Sequence, residues 1–196
     1  MASHSRWLCI MALATEERIL EGAVRALSES LNATVDQIAA EARVGRATVF
    51  RHFESRAGLL KALASRAIAE TDRVTRQATA QACTAADALR LATKAVVGAG
   101  ESYRFLEAAA ELRDEPEIVR AHERQMSELA DLVRGAREEG FIRPDVPLAW
   151  VVASIDSLIW AASRAVGEGE LGRVQAQDLV WDTIASGLST IAAKES

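Results

Sequence analysis

Cysteine occurs twice in the 196 residues, proline three times, histidine three times and tyrosine once. Each scarcity removes a class of explanation. Cys9 and Cys83 cannot make a disulfide framework and fit a reducing cytoplasm. His4, His52 and His122 lie far apart and have no ligand spacing with either cysteine, so no metal motif is present. A nucleophile motif and a glycine-rich phosphate loop are also missing, and Asp114-Glu115 reads as a loop before Pro116; the expectation is a protein that is not an enzyme and uses no cofactor. Long apolar runs are lacking too. Trp7 to Ala14 runs into Glu16 and Glu17, which does not suit a secretory signal. Met11 offers an alternative start, with the preceding segment as an upstream extension of the reading frame. Val146 to Ala162 is interrupted by Asp156 and falls short of the usual transmembrane span, so no membrane association is expected.

What remains is helix-forming. Alanine is abundant, β-branched runs are short and no convincing period-2 strand appears, so the fold class read from the sequence is all-α. The length allows one or two modest domains with a core. A net charge of −5 argues against nucleic acid until its distribution is considered. From Arg43 to Arg66 there are six cations against one acid, Glu54, whereas the chain from Ala67 onward carries a surplus of acids. A basic head is joined to an acidic body.

The pattern is sharpest from Thr34 to Phe53. Thr34 and Gln37 have capping-box spacing, and Val35, Ile38, Ala39 and Ala42 share a helical face. The pattern breaks at Arg43-Val44-Gly45, where Gly45 either bends the chain or starts the next helix. It resumes at Ala47, Phe50 and Phe53, leaving Arg46, Thr48, Arg51 and His52 on the other side, with Arg56 and Lys61 close behind. A helix, a tight turn and a second helix with one cationic, hydrogen-bonding face suit the DNA major groove. A solvated polar face would show the same four residues for no purpose.

The run Arg46-Ala47-Thr48-Val49-Phe50-Arg51-His52-Phe53-Glu54-Ser55-Arg56-Ala57-Gly58-Leu59-Leu60 resembles the recognition helix and following helix start of the TetR (tetracycline repressor) family of transcriptional regulators. The likeness extends from about Glu17 to Leu63; beyond that only size and helical layout are shared. It implies that Arg46, Thr48, Ala47 and Arg51 face base edges of double-stranded operator DNA, while Thr34, Phe50, His52 and Arg56 lie against its backbone. Three positions depart from the family pattern. Ser30 to Asn32 contains no glycine, leaving Asn32 best able to go left-handed. Arg43 stands where glycine is common, so either it tolerates a costly backbone angle or the turn is built differently. Phe50 replaces a common tyrosine, keeping the ring and losing a hydroxyl.

Around this motif, the expected head is a three-helix DNA-binding domain over 15–65, following an N-terminal extension over 1–14 that is expected to be poorly ordered. Its first helix starts at Thr15, with a stripe of Ile19, Leu20, Ala23, Val24 and Leu27. Ser55 caps a longer helix whose apolar positions, from Leu59 to Val74, run on for about five turns, a mechanical link whose tilt moves the reading head. The body, 66–196, is expected to bind an effector and dimerise, with helices over 85–99, 102–113, 116–139, 147–168 and 174–193, about nine helices in all. Its last two helices look too apolar for a monomer: Val151, Val152, Ile155, Leu158, Ile159 and Ala162 on one, Leu179, Val180, Ile184, Leu188 and Ile191 on the other. In proteins resembling this one they pair across a homodimer, which places two heads on a palindromic site. The resemblance also implies a pocket for a small-molecule effector. Tyr103, Phe105, Met126, Trp150 and Trp160 are its candidate lining, with plain core packing as the alternative for each. Arg104, Glu107, Glu111 and His122 are candidate polar contacts. The function implied is a ligand-responsive regulator, with a helical dimeric interaction module as the competing reading.

Overall fold

The computed structural model describes residues 2–30, 32–100, 112 and 115–190, and they form eight helices. The expected helix over 102–113 lies outside the described residues apart from Leu112, which accounts for the difference from nine. The chain divides into two compact units; of the described residues the first holds 2–66 with Leu112, the second 67–100 and 115–190.

In the first unit, α1 (Ala2–Glu29) begins well before Thr15. This corrects the expectation of a helix start at Thr15: no glycine or proline precedes Gly22, so nothing in the sequence stops the helix. Its buried stripe is Ile19, Leu20, Ala23, Ala26 and Leu27, with Val24 only half-buried. After α1 the Ala33 N–H donates to the Ser30 carbonyl at 2.9 Å and closes the turn. Two short helices, α2 (Val35–Glu41) and α3 (Arg46–Phe53), follow. Neither is long enough to be stable by itself in water. They are held because Ile38, Ala39, Ala42, Val49 and Phe53 are buried, each large side chain contributing about 1.5–3 kcal/mol on full burial.

The α1 to α2 contact is close. A Cβ on Gly22 would lie 2.6 Å from the Ala42 backbone nitrogen, so only glycine fits. Arg25 adds a hydrogen bond to the Glu41 carbonyl at 3.1 Å and an ion pair with its carboxylate at 3.5 Å. Leu59, Leu60, Leu63 and Ala64 of α4 (Arg56–Thr79) are also buried, and Arg66 pairs with Glu17 of α1 at 2.9 Å.

The second unit contains α5 (Ala85–Gly98), α6 (Pro116–Glu138), α7 (Leu148–Gly167) and α8 (Arg173–Leu188), with α5 packed against the other three. Its core gathers Leu89, Val97, Val133, Ile142, Val151, Ile155, Ile159, Val180 and Ile184. Glu139 closes the start of α5, its carboxylate accepting from the Ala85 and Ala86 N–H groups at 2.7 and 2.9 Å. α7 has the length and composition of a membrane-crossing helix, extending past the Ala162 limit set by the sequence reading; its Val151, Ile155, Ile159 and Ala162 are buried in this core. α8 stops at Leu188, short of the expected 193. There Ser189 turns extended and pairs with Ile142, while the Thr190 N–H donates to the Phe141 carbonyl at 2.9 Å.

The apolar surplus of the last two helices is mostly used inside this unit. Of the residues expected to need a partner subunit, Val151, Ile155, Ile159, Ala162, Val180 and Ile184 are buried within it, and Leu179 stands exposed. Ile191 lies outside the described residues.

Gly22→Ala is expected to destabilise the first unit by about 1–3 kcal/mol, since the new methyl meets backbone and outweighs any gain in helix propensity. Urea unfolding followed by circular dichroism measures this; an unchanged midpoint would show that α1 and α2 are not locked at this contact.

Candidate nucleic-acid interface

Local sequence builds this site in four steps. The capping box forms as its spacing dictates: the Thr34 N–H donates to Gln37 Oε1 at 2.7 Å and the Gln37 N–H to Thr34 Oγ1 at 3.3 Å. α2 then ends in a Schellman motif, with the Val44 N–H donating to the Ala39 carbonyl and the Arg43 N–H to the Ala40 carbonyl, both at 3.0 Å. This motif needs a left-handed residue, and Arg43 supplies it at φ 53°. Of the two alternatives at Arg43, the structure therefore shows the unfavourable backbone angle, at a cost of about 1–2 kcal/mol relative to glycine.

Gly45 starts α3 as its cap, at φ −76° and ψ 149°. The helix is rotated relative to the sequence reading. Val49 and Phe53, one turn apart, are the buried pair, while Phe50 is half-buried and Ala47 is exposed. At 3.6 residues per turn the face opposite Val49 and Phe53 carries Ala47, Thr48 and Arg51. Arg46 and Phe50 lie on one flank and His52 on the other, its ring centre 6.2 Å from that of Phe53.

The junction to α4 is tight. Glu54 takes φ 58° and ψ −39°, and the Ser55 N–H returns to the Phe53 carbonyl, a γ-turn in a strained form. Ser55 Oγ caps α4 by accepting from the Gly58 N–H at 3.0 Å. A Cβ on Gly58 would lie 2.2 Å from the Phe53 carbonyl oxygen, so glycine is required there. Arg56 begins α4 half-buried, and its shielded Nη1 has no protein hydrogen-bond partner.

All eight residues singled out from the sequence therefore lie on one compact motif, but one neighbour was missed. Asp36, in the first turn of α2, sits 2.8 Å from Arg46 Nη1 through Oδ2, and the Arg46 guanidinium carbon is 5.3 Å from the centre of the Phe50 ring. Only the acid at that position of α2 could have signalled it; the pairing crosses the turn.

The second group of candidates is less coherent. Tyr103, Phe105, Arg104, Glu107 and Glu111 lie outside the described residues. Met126 of α6 and Trp160 of α7 are half-buried, His122 is exposed, and Trp150 is 65% exposed and so lies on the surface rather than in a cavity. Sequence reasoning also passed over Asp156, one turn before Trp160. Burial raises its carboxyl above the ordinary carboxylate value, against the lowering effects of His122 and of a hydrogen bond from Trp160.

Comparison with known proteins gives this geometry a context. Residues 19–63, from the buried part of α1 into α4, match the family model for bacterial regulatory proteins, tetR family. The chain is 26% identical over 177 residues to the HTH-type transcriptional repressor LfrR of Mycolicibacterium smegmatis, spanning 90% of this chain and 92% of that protein. The structure of LfrR from Mycobacterium smegmatis in complex with proflavine superposes with a TM-score of 0.74 at 24% identity, covering 88% of this chain and 95% of that one. The ketosteroid transcriptional regulator KstR2 of Mycobacterium tuberculosis matches with a TM-score of 0.74 at 22% identity, covering 89% and 95%.

Arg43→Gly is expected to raise the stability of the first unit by about 0.5–1 kcal/mol, the left-handed cost less the extra freedom of unfolded glycine. Arg43→Val is expected to lower it. Thermal melts of the two variants beside the parent check both signs, and the reverse order would contradict the assigned turn.

Proposed function

We propose that this chain, a transcriptional regulator of the tetR family, acts as a dimeric repressor that binds a palindromic operator through α3 and leaves it when a small-molecule effector occupies the second unit. The observation that carries the reading is the placement of exposed Ala47 and Arg51, with half-buried Thr48 beside them, on the side of α3 away from the buried Val49 and Phe53. In this reading Arg46, Thr48, Ala47 and Arg51 meet base edges in the major groove, where a good side-chain pairing is worth about 1–3 kcal/mol of discrimination. Thr34, Phe50, His52 and Arg56 lie along the phosphates. Phosphate contacts set affinity and its fall with salt rather than sequence choice. The setting is the cytoplasm, where the DNA is.

Dimerisation is assigned to the outer faces of α7 and α8. Ala153, Ser157 and Ala161 recur along the exposed side of α7, small enough for a partner helix to approach closely, with exposed Trp150 and Leu179 as apolar anchors. A two-fold dimer places the two heads on half-sites about one helical turn or more apart. The effector acts by differential affinity: it favours the body conformation in which the heads no longer match that spacing. LfrR binds proflavine, a planar aromatic cation; in this chain Trp160, Met126 and the half-buried side chain of Asp156 offer ring, thioether and a carboxyl acceptor for a ligand of that kind. The competing reading, a helical interaction module without specific DNA binding, shares the dimer but gives Arg46 and Thr48 nothing to do.

Fluorescence anisotropy with DNA from upstream of the protein's own gene, against scrambled DNA at two salt concentrations, separates the two. The regulator prefers the native duplex, and Arg46→Ala loses roughly tenfold in affinity for it while remaining a dimer. An Arg46→Ala protein with undiminished preference would favour the interaction module. For the interface, Leu179→Glu is expected to give a monomer by light scattering at micromolar concentration, with operator affinity falling at least tenfold as the second head is lost; a stable dimer would move the interface elsewhere.

A further inference from the structure

The N-terminus of α3 is short of negative charge. A helix start favours a hydroxyl or acidic side chain to meet its unpaired N–H groups and the positive end of its dipole. α3 has Gly45 as a cap without a side-chain hydrogen bond, no acid in its first turn, and a cation, Arg46, at its first position. The charge comes instead from the neighbouring helix, through Asp36. With Asp36 at one end and the Phe50 ring beneath the guanidinium, Arg46 is fixed in direction as well as in place. Both members of the pair remain about 60% exposed, at 60% and 61%, so they stand on the open side of the motif. An exposed pair adds little to stability, which leaves its geometry to be explained by what it orients.

We propose that Asp36 is a positioning residue for DNA sequence recognition: it aims Arg46 at one base edge and makes binding conditional on an acceptor being there. This rests on the DNA-reading role given above to α3. On a matching site the free edge of the Arg46 guanidinium donates to guanine O6 and N7 while its other edge keeps Asp36. On a mismatched site Arg46 gains nothing from the base, and the Asp36 carboxylate still repels the nearby phosphates. Asp36 thus weakens binding to all DNA and weakens it most where the sequence is wrong, so that specificity comes from a penalty as much as from a contact.

The test selects a random-sequence duplex library with the wild-type dimer, then repeats the selection with Asp36→Ala, Arg46→Ala and the double variant, reading preference base by base. Asp36→Asn, which keeps the shape and an acceptor but not the charge, serves as a second variant should Asp36→Ala fold poorly by circular dichroism. Removing the carboxylate is expected to tighten binding to unselected DNA severalfold and to steepen the salt dependence by about one phosphate contact. Discrimination should fall roughly tenfold at the base pairs that Arg46→Ala also relaxes, and the double variant should discriminate no worse than Arg46→Ala alone. A wild type that enriches a site while Asp36→Ala keeps the same base preferences overturns the assignment to Asp36 and leaves the regulator intact. Relaxation by Asp36→Ala at base pairs that Arg46→Ala does not touch overturns it equally. A wild type that enriches nothing fails the regulator reading itself, and the role of Asp36 falls with it.

Discussion

The reading head depends on a contact where there is no room for a side chain. α2 and α3 have seven and eight residues. Helices that short do not persist alone, so their directions are set by what they pack on. Gly22 brings α1 within a methyl's width of Ala42, at the end of α2 and the entry to the turn. Everything C-terminal to Ala42 in the motif inherits its position from there: the Schellman turn at Arg43, the start of α3 at Gly45, and so the outward direction of Thr48 and Arg51. The second close approach, Gly58 against the Phe53 carbonyl, fixes the other end of α3 on α4. A short helix whose entry and exit are both set by such close approaches holds its side chains in a fixed direction.

Charge is distributed with the same economy. The head concentrates cations between Arg43 and Arg66, although the chain as a whole is acidic at −5. Placing Arg46 at the positive end of α3 works against the helix dipole, and Asp36 offsets it from the adjacent helix. Strain is tolerated in the same region. Arg43 and Glu54, on either side of α3, are the non-glycine residues at positive φ among those described. Left-handed angles at both boundaries of one short helix fit a site where geometry matters more than local stability.

Much of this was legible in the sequence because it is local. Thr34 and Gln37 are three residues apart, Ser55 and Gly58 likewise, and caps of that kind depend on nothing distant. The class of fold and the basic head followed from composition and charge. What was not legible required knowing neighbours. Ala47, Phe50 and Phe53 fit a helical stripe as well as Val49 and Phe53 do, and only the packing of the folded motif, which buries Val49 and Phe53, decides the rotation. Asp36 is ten residues from Arg46 and meets it only after the turn is made. The start of α1 carried no signal because Ala2 to Glu21 contains no breaker, so Thr15 looked like a beginning. By type Trp150 fits either a pocket lining or plain core, yet it is neither, because Val151 and Ile155 set which side of α7 faces the core. How the apolar residues of α7 and α8 divide between the protomer's own core and its surface was likewise not legible, since it depends on α5 and α6 packing against them.

The claim at the centre is that α3 reads the major groove through its exposed face. Guanine N7 lies in that groove, so methylation interference addresses it directly. DNA selected by the protein is lightly methylated with dimethyl sulfate, bound, separated and cleaved at the modified guanines. A dimeric major-groove reader predicts that N7 methylation blocks binding in two symmetric clusters, centred one helical turn or more apart. Binding indifferent to N7 methylation, or blocked only by adenine N3 methylation in the minor groove, would contradict it.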